Sequence, residues 1–355
     1  MPIESITIEN FRCLANAALE ADPHYNVIYG DNASGKTSLL EAVAYLGRGK
    51  SFRGASTASL IRHGQKEFVL FGRAEAGGHV SGIGVRNSRE GLEVRIDGQP
   101  GRGAAALAAA LPLQIIDPDV HNLVGGGPEQ RRRYLDWIAF HVEPGYLDLW
   151  RRFRRTLKQR NAALKGGSPM RAMAVWNAEF VVLSAQVDEA RQRALAVTAD
   201  RLEDAGHSLL GSKVRFEYRS GWNLEKGLLA SLEDGQERDV MLGSTQHGPQ
   251  RGDLRLMCDE RQARTLVSRG QQKLLACAMI LAATDIAQTA LKQPLLLLLD
   301  DPAAELDADS LGRLTERVVA LGAQVVATSL GRETLSLPGS PAVFHVEQGE
   351  LTRQE

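Results

Sequence analysis

The stretch GDNASGKT, residues Gly30 to Thr37, decides the fold class. It follows an apolar, strand-like run, NVIYG (26–30), and precedes KTSLLEAVAYLG (36–47), whose leucine and valine residues recur at helical spacing. The sequence G-x-x-x-x-G-K-[ST] between a strand and a helix is the pattern of a phosphate-binding P-loop. The sequence therefore predicts an α/β fold in which a nucleotide phosphate binds at this turn.

The residue types of this loop suit phosphate binding. Gly30 and Gly35 let the backbone wrap closely, so that successive N–H groups point at phosphate oxygens. The helix that begins near Lys36 adds the positive end of its dipole. We expect Lys36 to reach the β- and γ-phosphates and Thr37 to offer its hydroxyl to Mg²⁺. The predicted nucleotide-binding residues of the loop are Gly30, Asp31, Asn32, Ala33, Ser34, Gly35, Lys36 and Thr37.

A second part of the site is expected in PLLLLLDDPAAELD (294–307). The run of leucines favours a strand that is buried on both faces of a parallel sheet. Asp300 ends this strand, at the sheet edge where ligands bind in open α/β folds. We expect Asp300 to hold Mg²⁺ and the adjacent Asp301 to orient or deprotonate the attacking water.

The stretch VSRGQQK (267–273) lies about thirty residues before the aspartate strand. Its residues Ser268, Arg269, Gly270 and Gln271 resemble the signature motif of ABC-type ATPases, whose usual form is Leu-Ser-Gly-Gly-Gln. A serine hydroxyl, glycine N–H groups and a helix N-terminus together make an anion site. In that family the motif caps the γ-phosphate of ATP bound by a second subunit. The resemblance therefore implies an ATP-dependent homodimer that holds two ATP molecules between its subunits.

The block ITIENFRCL (6–14) resembles the N-terminal strand and Asn-Phe-Arg turn of SMC-type ABC ATPases. Five further blocks together resemble the RecF family of these ATPases, and the blocks are spread over nearly the whole chain. The five are GPEQRRRYLDW (127–137), LKQRNAAL (157–164), HGPQRGDL (247–254), VSRGQQKLL (267–275) and LLLDDPAAELD (297–307). The resemblance implies a DNA-binding ATPase of replication and recombinational repair that dimerises with ATP and hydrolyses it slowly, with weak stimulation by DNA. It also implies action with RecO and RecR at junctions of single-stranded and duplex DNA, RecA loading there, and support of SOS induction.

The same resemblance assigns further residues. Arg12 would lie near the nucleotide, Gln114 would be the Q-loop glutamine, and Asp307 would be the D-loop aspartate at the dimer seam. Two positions depart from the wider ABC pattern: Asp301 stands where many members have Glu, and Thr328 stands where transporters have a His switch. Both departures favour slow hydrolysis.

Bulk properties exclude some classes of protein. The formal net charge of −1 excludes a uniformly basic nucleic-acid coat. Cys13, Cys258 and Cys277 are far apart in the chain, which favours a reduced, cytoplasmic protein. MPIESITIENFR lacks the pattern of a secretion signal, and no apolar run approaches the roughly eighteen residues of a membrane helix. We therefore expect no membrane association.

The chain is predicted to divide into two domains. Residues 1–125 plus 245–355 would form a P-loop ABC-type ATPase head with an antiparallel β-subdomain, and 126–244 an inserted helical lobe. In this lobe, apolar residues recur in steps of four and three, from Tyr146 to Leu157 and from Trp176 to Val197. Such a stripe indicates either core packing or a short coiled-coil-like arm, with a hinge at KGGSP (165–169).

A local positive charge accompanies the predicted helices. Between Arg131 and Arg160, nine Lys or Arg residues stand against three Asp or Glu. This excess favours salt-dependent contact with the DNA backbone, and the alternative is a solvated helix face. The candidate DNA contacts are Arg131, Arg132, Arg133, Arg151, Arg152, Arg154 and Arg155.

Three other functions remain open at this point. A nucleotide-binding subunit of an ABC transporter shares the P-loop and signature, although Thr328 and the RecF-like blocks argue against it. A nucleotide-dependent scaffold without DNA affinity is the second. A nuclease is the third, but the sequence has no clustered carboxylates beyond Asp300 and Asp301. Stimulation of ATP hydrolysis by DNA would separate a DNA-binding ATPase from a transporter subunit.

Overall fold

The computed structural model describes residues 2–76, 79–101, 103–166, 170–304, 306–332 and 335–354. The chain forms two units, residues 1–120 with 292–355 and residues 121–291, here called the head unit and the inserted unit. The head unit contains β1 (Ile3–Phe11), β2 (Leu14–Glu20), β3 (Tyr25–Tyr29), α1 (Lys36–Arg48), α2 (Thr57–Leu60), β4 (Glu67–Ala76), β5 (His79–Ser88), β6 (Gly91–Ile96), β7 (Gln99–Pro100), α3 (Ala104–Ala110), β8 (Leu113–Ile116), β12 (Leu296–Leu299), α12 (Ala308–Leu321), β13 (Gln324–Ser329), β14 (Ala342–Glu347) and β15 (Glu350–Gln354). The inserted unit contains α4 (Asn122–Gly125), α5 (Pro128–Val142), α6 (Tyr146–Lys165), α7 (Met170–Leu210), β9 (Val214–Arg219), α8 (Leu228–Asp234), α9 (Gln236–Leu242), β10 (Asp253–Cys258), β11 (Arg261–Gln262), α10 (Ala263–Leu266) and α11 (Arg269–Leu291).

A six-stranded sheet in the head unit positions the P-loop. Its strand order is β15-β14-β3-β13-β12-β8, and all neighbours are parallel except the β14–β15 hairpin. The leucines of β12 are buried, as their sequence predicted for a central strand. Because β3, β12 and β8 run in parallel, the residues that follow them meet at one edge of the sheet. The predicted α/β sheet built from both chain ends is confirmed.

A second, antiparallel sheet in the head unit has the order β2-β1-β4-β5-β6-β7. Helix α1 packs against both sheets, and nearly all its residues from Leu39 to Gly47 are buried in the shared core. Gly72 on β4 allows this close approach, because a Cβ there would lie 2.3 Å from Leu46 of α1. The predicted antiparallel β-subdomain is therefore present, and it supports the helix that carries the P-loop.

The inserted unit is mostly helical, with β9, β10 and β11 in a small antiparallel sheet. The predicted apolar stripe forms its core between α6 and α7, where Phe153 stacks on Phe180 with ring centroids 5.7 Å apart. The stripe does not hold to its end, since Val197 is 50% exposed while the neighbouring Thr198 is buried. The predicted hinge at 165–169 falls largely outside the described residues.

Helix α11 is apolar enough and long enough to cross a membrane, contrary to the expectation that no such run exists. Its most apolar window of eighteen residues is 72% buried within the protein. It packs against α4, α5 and α7 of its own unit. This burial is that of a core helix in a folded unit rather than of a helix that faces lipid.

The observed division differs from the predicted one at its second boundary. Residues 245–291 were predicted to belong to the ATPase head, but they pack with the inserted helices. Strand β10 pairs with β9 along its full length, and α11 lies against α7. The signature-like residues therefore belong to the inserted unit, while the P-loop and the aspartate strand belong to the head unit.

Candidate functional site

The backbone of the P-loop is held in the wrapped form that a phosphate requires. Gly30 has φ 154°, Gly35 has φ 120°, and Ala33 between them has φ 63°. A Cβ at Gly30 would lie 2.3 Å from the carbonyl oxygen of Val346, so no side chain fits there. Alternation of left- and right-handed backbone turns successive N–H groups toward one centre, which makes an anion-binding concavity at the start of α1.

Lys36 lies inside this loop rather than in solvent. Its Nζ donates hydrogen bonds to the carbonyl oxygens of Gly30 at 2.6 Å and of Asp31 at 2.8 Å. Burial lowers the pKa of Lys36, while the charges of Asp301, Asp31 and Asp300 act in the opposite direction. The ammonium group is thus pre-positioned at the loop by backbone oxygens.

Thr37 and Asp300 meet across the sheet edge as predicted from their motifs. Thr37 Oγ1 donates to Asp300 Oδ1 at 3.0 Å. Thr328 Oγ1 donates to the same oxygen at 2.9 Å. Burial raises the pKa of Asp300, and the two hydroxyl hydrogen bonds oppose that rise. A hydroxyl and a carboxylate at this distance provide the hard oxygen ligands that Mg²⁺ prefers, so the residues present fit a Mg²⁺ ion.

Two further groups at this edge point to a ligand. The hydroxyl Oγ of Ser34 is buried in the loop, and no described group forms a hydrogen bond with it. Buried polar groups normally have a partner, which makes this hydroxyl a candidate phosphate contact. Asp301 has φ 46°, which is strained for a residue with a side chain, and its N–H donates to Thr328 Oγ1 at 2.9 Å. Such strain occurs at functional sites.

Arg12 is next to the loop but is already paired. Its guanidinium donates to both carboxylate oxygens of the fully buried Glu41 on α1, at 2.9 and 3.1 Å. The following residue, Cys13, places its sulfur 3.2 Å from where a Cβ of Gly35 would be. The nearness of Arg12 to a bound nucleotide stays a prediction, and its observed partner is Glu41. Sequence reasoning missed Glu41 as the partner of Arg12. The signal was the glutamate itself, a charged residue within the apolar middle of helix α1.

Gln114 does not reach the site. It lies inside strand β8, opposite Leu297, which is three residues before Asp300 on β12. Its side chain is buried and accepts a hydrogen bond from Arg48 at 3.3 Å. Three residues of strand correspond to about 10 Å, so Gln114 is too far from the sheet edge to act as a Q-loop glutamine. The residue that follows β8 at that edge is Asp117, which sequence reasoning missed.

The signature-like residues form the N-terminus of α11 in the inserted unit. Ser268 N donates to Gln271 Oε1 at 2.9 Å, and Gln271 N donates to Ser268 Oγ at 3.3 Å, which is a capping box. Ser268, Arg269 and Gln271 are exposed. Apart from its chain neighbours and the backbone of its own helix, no described atom lies within 4 Å of where a Cβ of Gly270 would be. The surface in front of this helix end is therefore open.

Asp307 has a structural role in its own chain. It is the N-cap of α12, where its carboxylate accepts hydrogen bonds from Ser310 N at 2.8 Å and Ser310 Oγ at 2.9 Å. These bonds lower the pKa of the exposed Asp307 carboxyl. The predicted D-loop segment 303–307 is described except for residue 305.

The candidate DNA contacts separate into two groups. Arg131 is 4% exposed and donates to the Asp253 carboxylate at 2.8 and 3.2 Å and to the carbonyl of Gly126 at 2.8 Å. Arg132 is half-buried and donates to the carbonyl of Gly252 at 2.9 Å. The prediction that Arg131 contacts DNA is wrong for this structure, because its guanidinium holds the fold together.

The remaining arginines are exposed on the inserted unit. Arg133 pairs with Glu129 on α5, and Arg151 pairs with Asp148 on α6. Arg154 lies over the ring of Trp150 at 5.3 Å. The exposed arginines of α6 are Arg151, Arg152, Arg154 and Arg155. Helix α6 carries only one acidic residue, so its exposed face is positive.

The fold and the motifs are shared with known proteins. The family described as "RecF/RecN/SMC N terminal domain" matches residues 2–351. The chain is 37% identical to the DNA replication and repair protein RecF of Cronobacter sakazakii over 99% of this chain and 100% of that protein. It is 40% identical to the protein of the same name from Chromohalobacter salexigens, over 99% of both chains.

A solved structure has the same fold along the whole chain. It is the structure of the recombination mediator protein RecF-ATP in the RecFOR pathway. It superposes with a TM-score of 0.89 at 24% identity, covering 100% of this chain and 98% of that chain. The chain therefore belongs to the RecF family and has the fold of an SMC-type ABC ATPase head.

Proposed function

We propose that this protein is an ATP-dependent DNA-binding protein of recombinational repair and replication. The observation that carries this proposal is the contact of Thr37 with Asp300 beside a wrapped P-loop, in a chain of the RecF family. The chain matches relatives named DNA replication and repair protein RecF over nearly their full length. This match supports a role in repair and replication rather than that of a transporter subunit.

ATP is the proposed nucleotide, with its phosphates in the concavity formed by residues 30–37. Lys36, now held by two carbonyl oxygens, exchanges those bonds for the β- and γ-phosphates. Ser34 gains a partner for its buried hydroxyl. Mg²⁺, when bound, would be held by Thr37 and Asp300 and would neutralise charge on the phosphates. The ATP-bound state of the RecF structure with the same fold supports this assignment.

Hydrolysis is proposed to be slow and weakly stimulated by DNA. Asp301 is the candidate group that orients the attacking water, and its strained backbone fixes its position after β12. An aspartate is one methylene shorter than the glutamate that is common at this position in ABC ATPases, so its carboxylate reaches less far. Since catalysis depends on placement within fractions of an ångström, this shorter reach lowers the rate without preventing ATP binding.

ATP binding is proposed to join two copies of the chain. The N-terminus of α11 exposes Ser268 and Gln271 and leaves open space at Gly270, which suits capping of a γ-phosphate held by the partner. Arg269 and Asp307 are exposed as well, and they are proposed to lie at the seam between the two copies. One P-loop and one signature-like segment per chain favour a two-fold arrangement with two nucleotides.

DNA is proposed to bind through the exposed arginines of α6, with Arg133 of α5 as a further contact. These guanidinium groups suit phosphate oxygens and carry no base-reading pattern, so duplex DNA and single-strand–duplex junctions are the expected substrates. The proposed partners in the cytoplasm are RecR directly and RecO and RecA functionally. RecA loading at single-strand gaps and SOS induction are the proposed outcomes.

Light scattering of the wild type and of Ser268→Arg, with and without ATP, tests the dimer. We expect the wild type to dimerise only with ATP and Mg²⁺, and Ser268→Arg to bind ATP normally but stay monomeric. Ser268 is exposed, so the substitution leaves the core packing unchanged, although it removes the cap hydrogen bond from Gln271 N. Lys36→Ala serves as the control that loses nucleotide binding itself. A wild type that stays monomeric at saturating ATP, or a Ser268→Arg variant that dimerises as well as the wild type, refutes the mechanism.

A further inference from the structure

Asp117 is placed beside Asp300 by the pairing of two strands. Strands β8 and β12 are parallel, with Ile116 opposite Leu299, so the next residues, Asp117 and Asp300, are also opposite each other. The N–H of Asp300 donates to the carbonyl oxygen of Ile116 at 2.8 Å, which extends the pairing to the sheet edge. Adjacent parallel strands lie about 4.8 Å apart, so the two carboxylates are neighbours.

The two carboxylates also share a face of the sheet. Leu113 and Ile115 of β8 lie in the core beneath α1, together with Leu296 and Leu298 of β12. Side chains alternate between the two faces along a strand, so residues two positions apart share a face. Asp117 lies two positions after Ile115, and Asp300 lies two positions after Leu298, so both carboxylates lie on the face that α1 covers. This is the face on which α1 presents Thr37 to Asp300.

The two carboxylates share a partly buried edge of the sheet. Asp300 is buried and Asp117 is half-buried. Neighbouring carboxylates in a desolvated position are unfavourable unless a cation engages them. The unpartnered, buried Ser34 hydroxyl in the adjacent loop is an independent sign of a ligand here.

We propose that Asp117 helps to hold the divalent cation of the nucleotide site, by accepting a hydrogen bond from a water bound to that cation. Mg²⁺ keeps several waters and uses few protein carboxylates directly, so a second carboxylate beside Asp300 has such a water to engage. Asp117 thereby has the role beside the cation for which Gln114 was predicted as the Q-loop glutamine. The proposal rests on the proposed function, because it assigns a residue to the same ATP and Mg²⁺ site.

The test measures binding of the fluorescent nucleotide mant-ATP while Mg²⁺ is titrated, in the wild type and in Asp117→Asn. We expect the half-saturating Mg²⁺ concentration to rise roughly tenfold in Asp117→Asn, the usual effect of losing a residue that acts on a metal through its ligand. In EDTA, mant-ATP should bind Asp117→Asn as tightly as the wild type or more tightly, because one negative charge near the phosphates is gone. Binding of Mn²⁺ with ATP, followed by electron paramagnetic resonance, gives the cation affinity independently of hydrolysis.

Asp97→Asn is the matched control, since it removes the same charge from an exposed position in the turn between β6 and β7, where Asn also suits the positive φ and keeps the acceptor oxygen. We expect it to change the Mg²⁺ requirement by less than about twofold, as expected for a solvent-screened charge. An unchanged Mg²⁺ requirement in Asp117→Asn overturns the inference, and so does an equal loss of affinity in Mg²⁺ and in EDTA, which would indicate a folding role. Lys36→Ala separates the two proposals: if it binds mant-ATP like the wild type, the proposed function itself fails.

Discussion

The hydroxyl of Thr328 donates a hydrogen bond to Asp300 Oδ1 at 2.9 Å and accepts one from the N–H of Asp301 at 2.9 Å. It thereby connects the two consecutive carboxylates that follow β12. Thr37 contacts the same oxygen of Asp300 from α1 at 3.0 Å. Because burial raises the pKa of Asp300 and these hydroxyls oppose the rise, Thr328 helps to keep Asp300 charged for a cation.

Substitution Thr328→Val removes this hydroxyl with little change of shape. Thr328 is fully buried, so Asp300 and the N–H of Asp301 each lose a partner in a desolvated place. We expect the free energy of unfolding of the head unit to fall by about 1–3 kcal/mol. Thermal unfolding followed by circular dichroism measures this loss, and Thr328→Ser, which keeps the hydroxyl, should lose less. Equal stability of the Val and Ser variants would contradict the role of the hydroxyl.

The inserted unit contains a buried ion pair whose loss should be costly. Arg160 donates to Asp239 at 2.8 Å, to Thr245 at 2.6 Å and to Asn177 at 2.9 Å, and the two charged side chains are 1% and 0% exposed. Arg160→Met leaves the Asp239 charge buried and unpaired. We expect a loss of about 3–5 kcal/mol in the free energy of unfolding of this unit.

Tryptophan fluorescence measures that unfolding selectively. All four tryptophans of the chain lie within residues 121–291, so denaturant titration with this signal reports the inserted unit. The control is Arg193→Met, which breaks the exposed pair with Glu143 and should cost about 0–1 kcal/mol. Similar losses of unfolding free energy in Arg160→Met and Arg193→Met would show that the buried Arg160 pair contributes no more stability than an exposed pair.

The stability of the inserted unit should depend on pH because His141 is buried in it. Burial lowers the pKa of its imidazole from 6.5 to about 4, and no described group bonds to its Nε2. The fold therefore favours neutral histidine, and the unfolded chain binds more protons between pH 4 and 6.5. Stability is full above pH 6.5 and falls as the pH drops toward 4, by about 2 kcal/mol at pH 5.

Replacement His141→Phe should remove this dependence. The phenyl ring suits the aromatic neighbours Trp137 and Phe140, and it cannot be protonated. Denaturant titrations at pH 7.5 and pH 5, again with tryptophan fluorescence, compare the two proteins. If the wild type and His141→Phe lose the same stability between these pH values, His141 is not the group responsible.

Local patterns predicted the parts of the site that depend on neighbours in sequence. The P-loop fixes its own backbone through Gly30 and Gly35. A buried leucine strand that ends in Asp300 places this carboxylate at the carboxyl end of the parallel sheet. Their contact follows from the parallel α/β arrangement, which the strand–helix–strand order already required. The apolar stripe of α6 and α7 was predicted for the same reason, because helical periodicity is local.

Long-range pairing determined what the sequence could not predict. Arg131 and Arg152 have the same side chain, but only Arg131 forms an ion pair with Asp253, which is 122 residues away in the sequence. Gln114 was predicted at the site by resemblance to the Q-loop of ABC ATPases, whereas the register of β8 with β12 brings Asp117 next to Asp300. Likewise, nothing local shows that β10 pairs with β9, and that pairing moves 245–291 into the inserted unit.

The division of the arginines yields a prediction about DNA. Arg152 and Arg155 are exposed on α6, so Arg152→Gln with Arg155→Gln should leave the fold intact. We expect the slope of log affinity for duplex DNA against log salt to fall by about one for each phosphate contact removed. Fluorescence anisotropy with a labelled duplex at several salt concentrations measures this slope. Arg131→Gln, in contrast, should destabilise the inserted unit, because it breaks the pair with Asp253.

An unchanged salt slope in the α6 double variant would show that the DNA lies elsewhere. A loss of DNA affinity in Arg131→Gln counts as a direct contact only if tryptophan fluorescence shows that its stability is unaffected. The comparison therefore separates arginines that bind phosphate from arginines that hold the fold.

Gly270 offers the sharpest test of a site shared between two copies. The space around its Cα is open among the described residues, and it lies in the first turn of α11, where a carboxylate is favourable. Gly270→Asp should therefore fold normally and bind ATP normally. Facing the γ-phosphate of a partner, however, the new charge would repel it, and we expect ATP-dependent dimerisation to be lost in light scattering.

Gly312 supplies the matched substitution. It lies in helix α12, and no described atom is within 4 Å of where its Cβ would be, as at Gly270. Gly312→Asp adds the same charge to a helix of the head unit, away from the signature-like residues in sequence. If both aspartate variants dimerise with ATP as the wild type does, the end of α11 does not meet a phosphate. If both lose dimerisation, added negative charge alone is the cause; only a loss confined to Gly270→Asp places a partner's nucleotide in front of that helix.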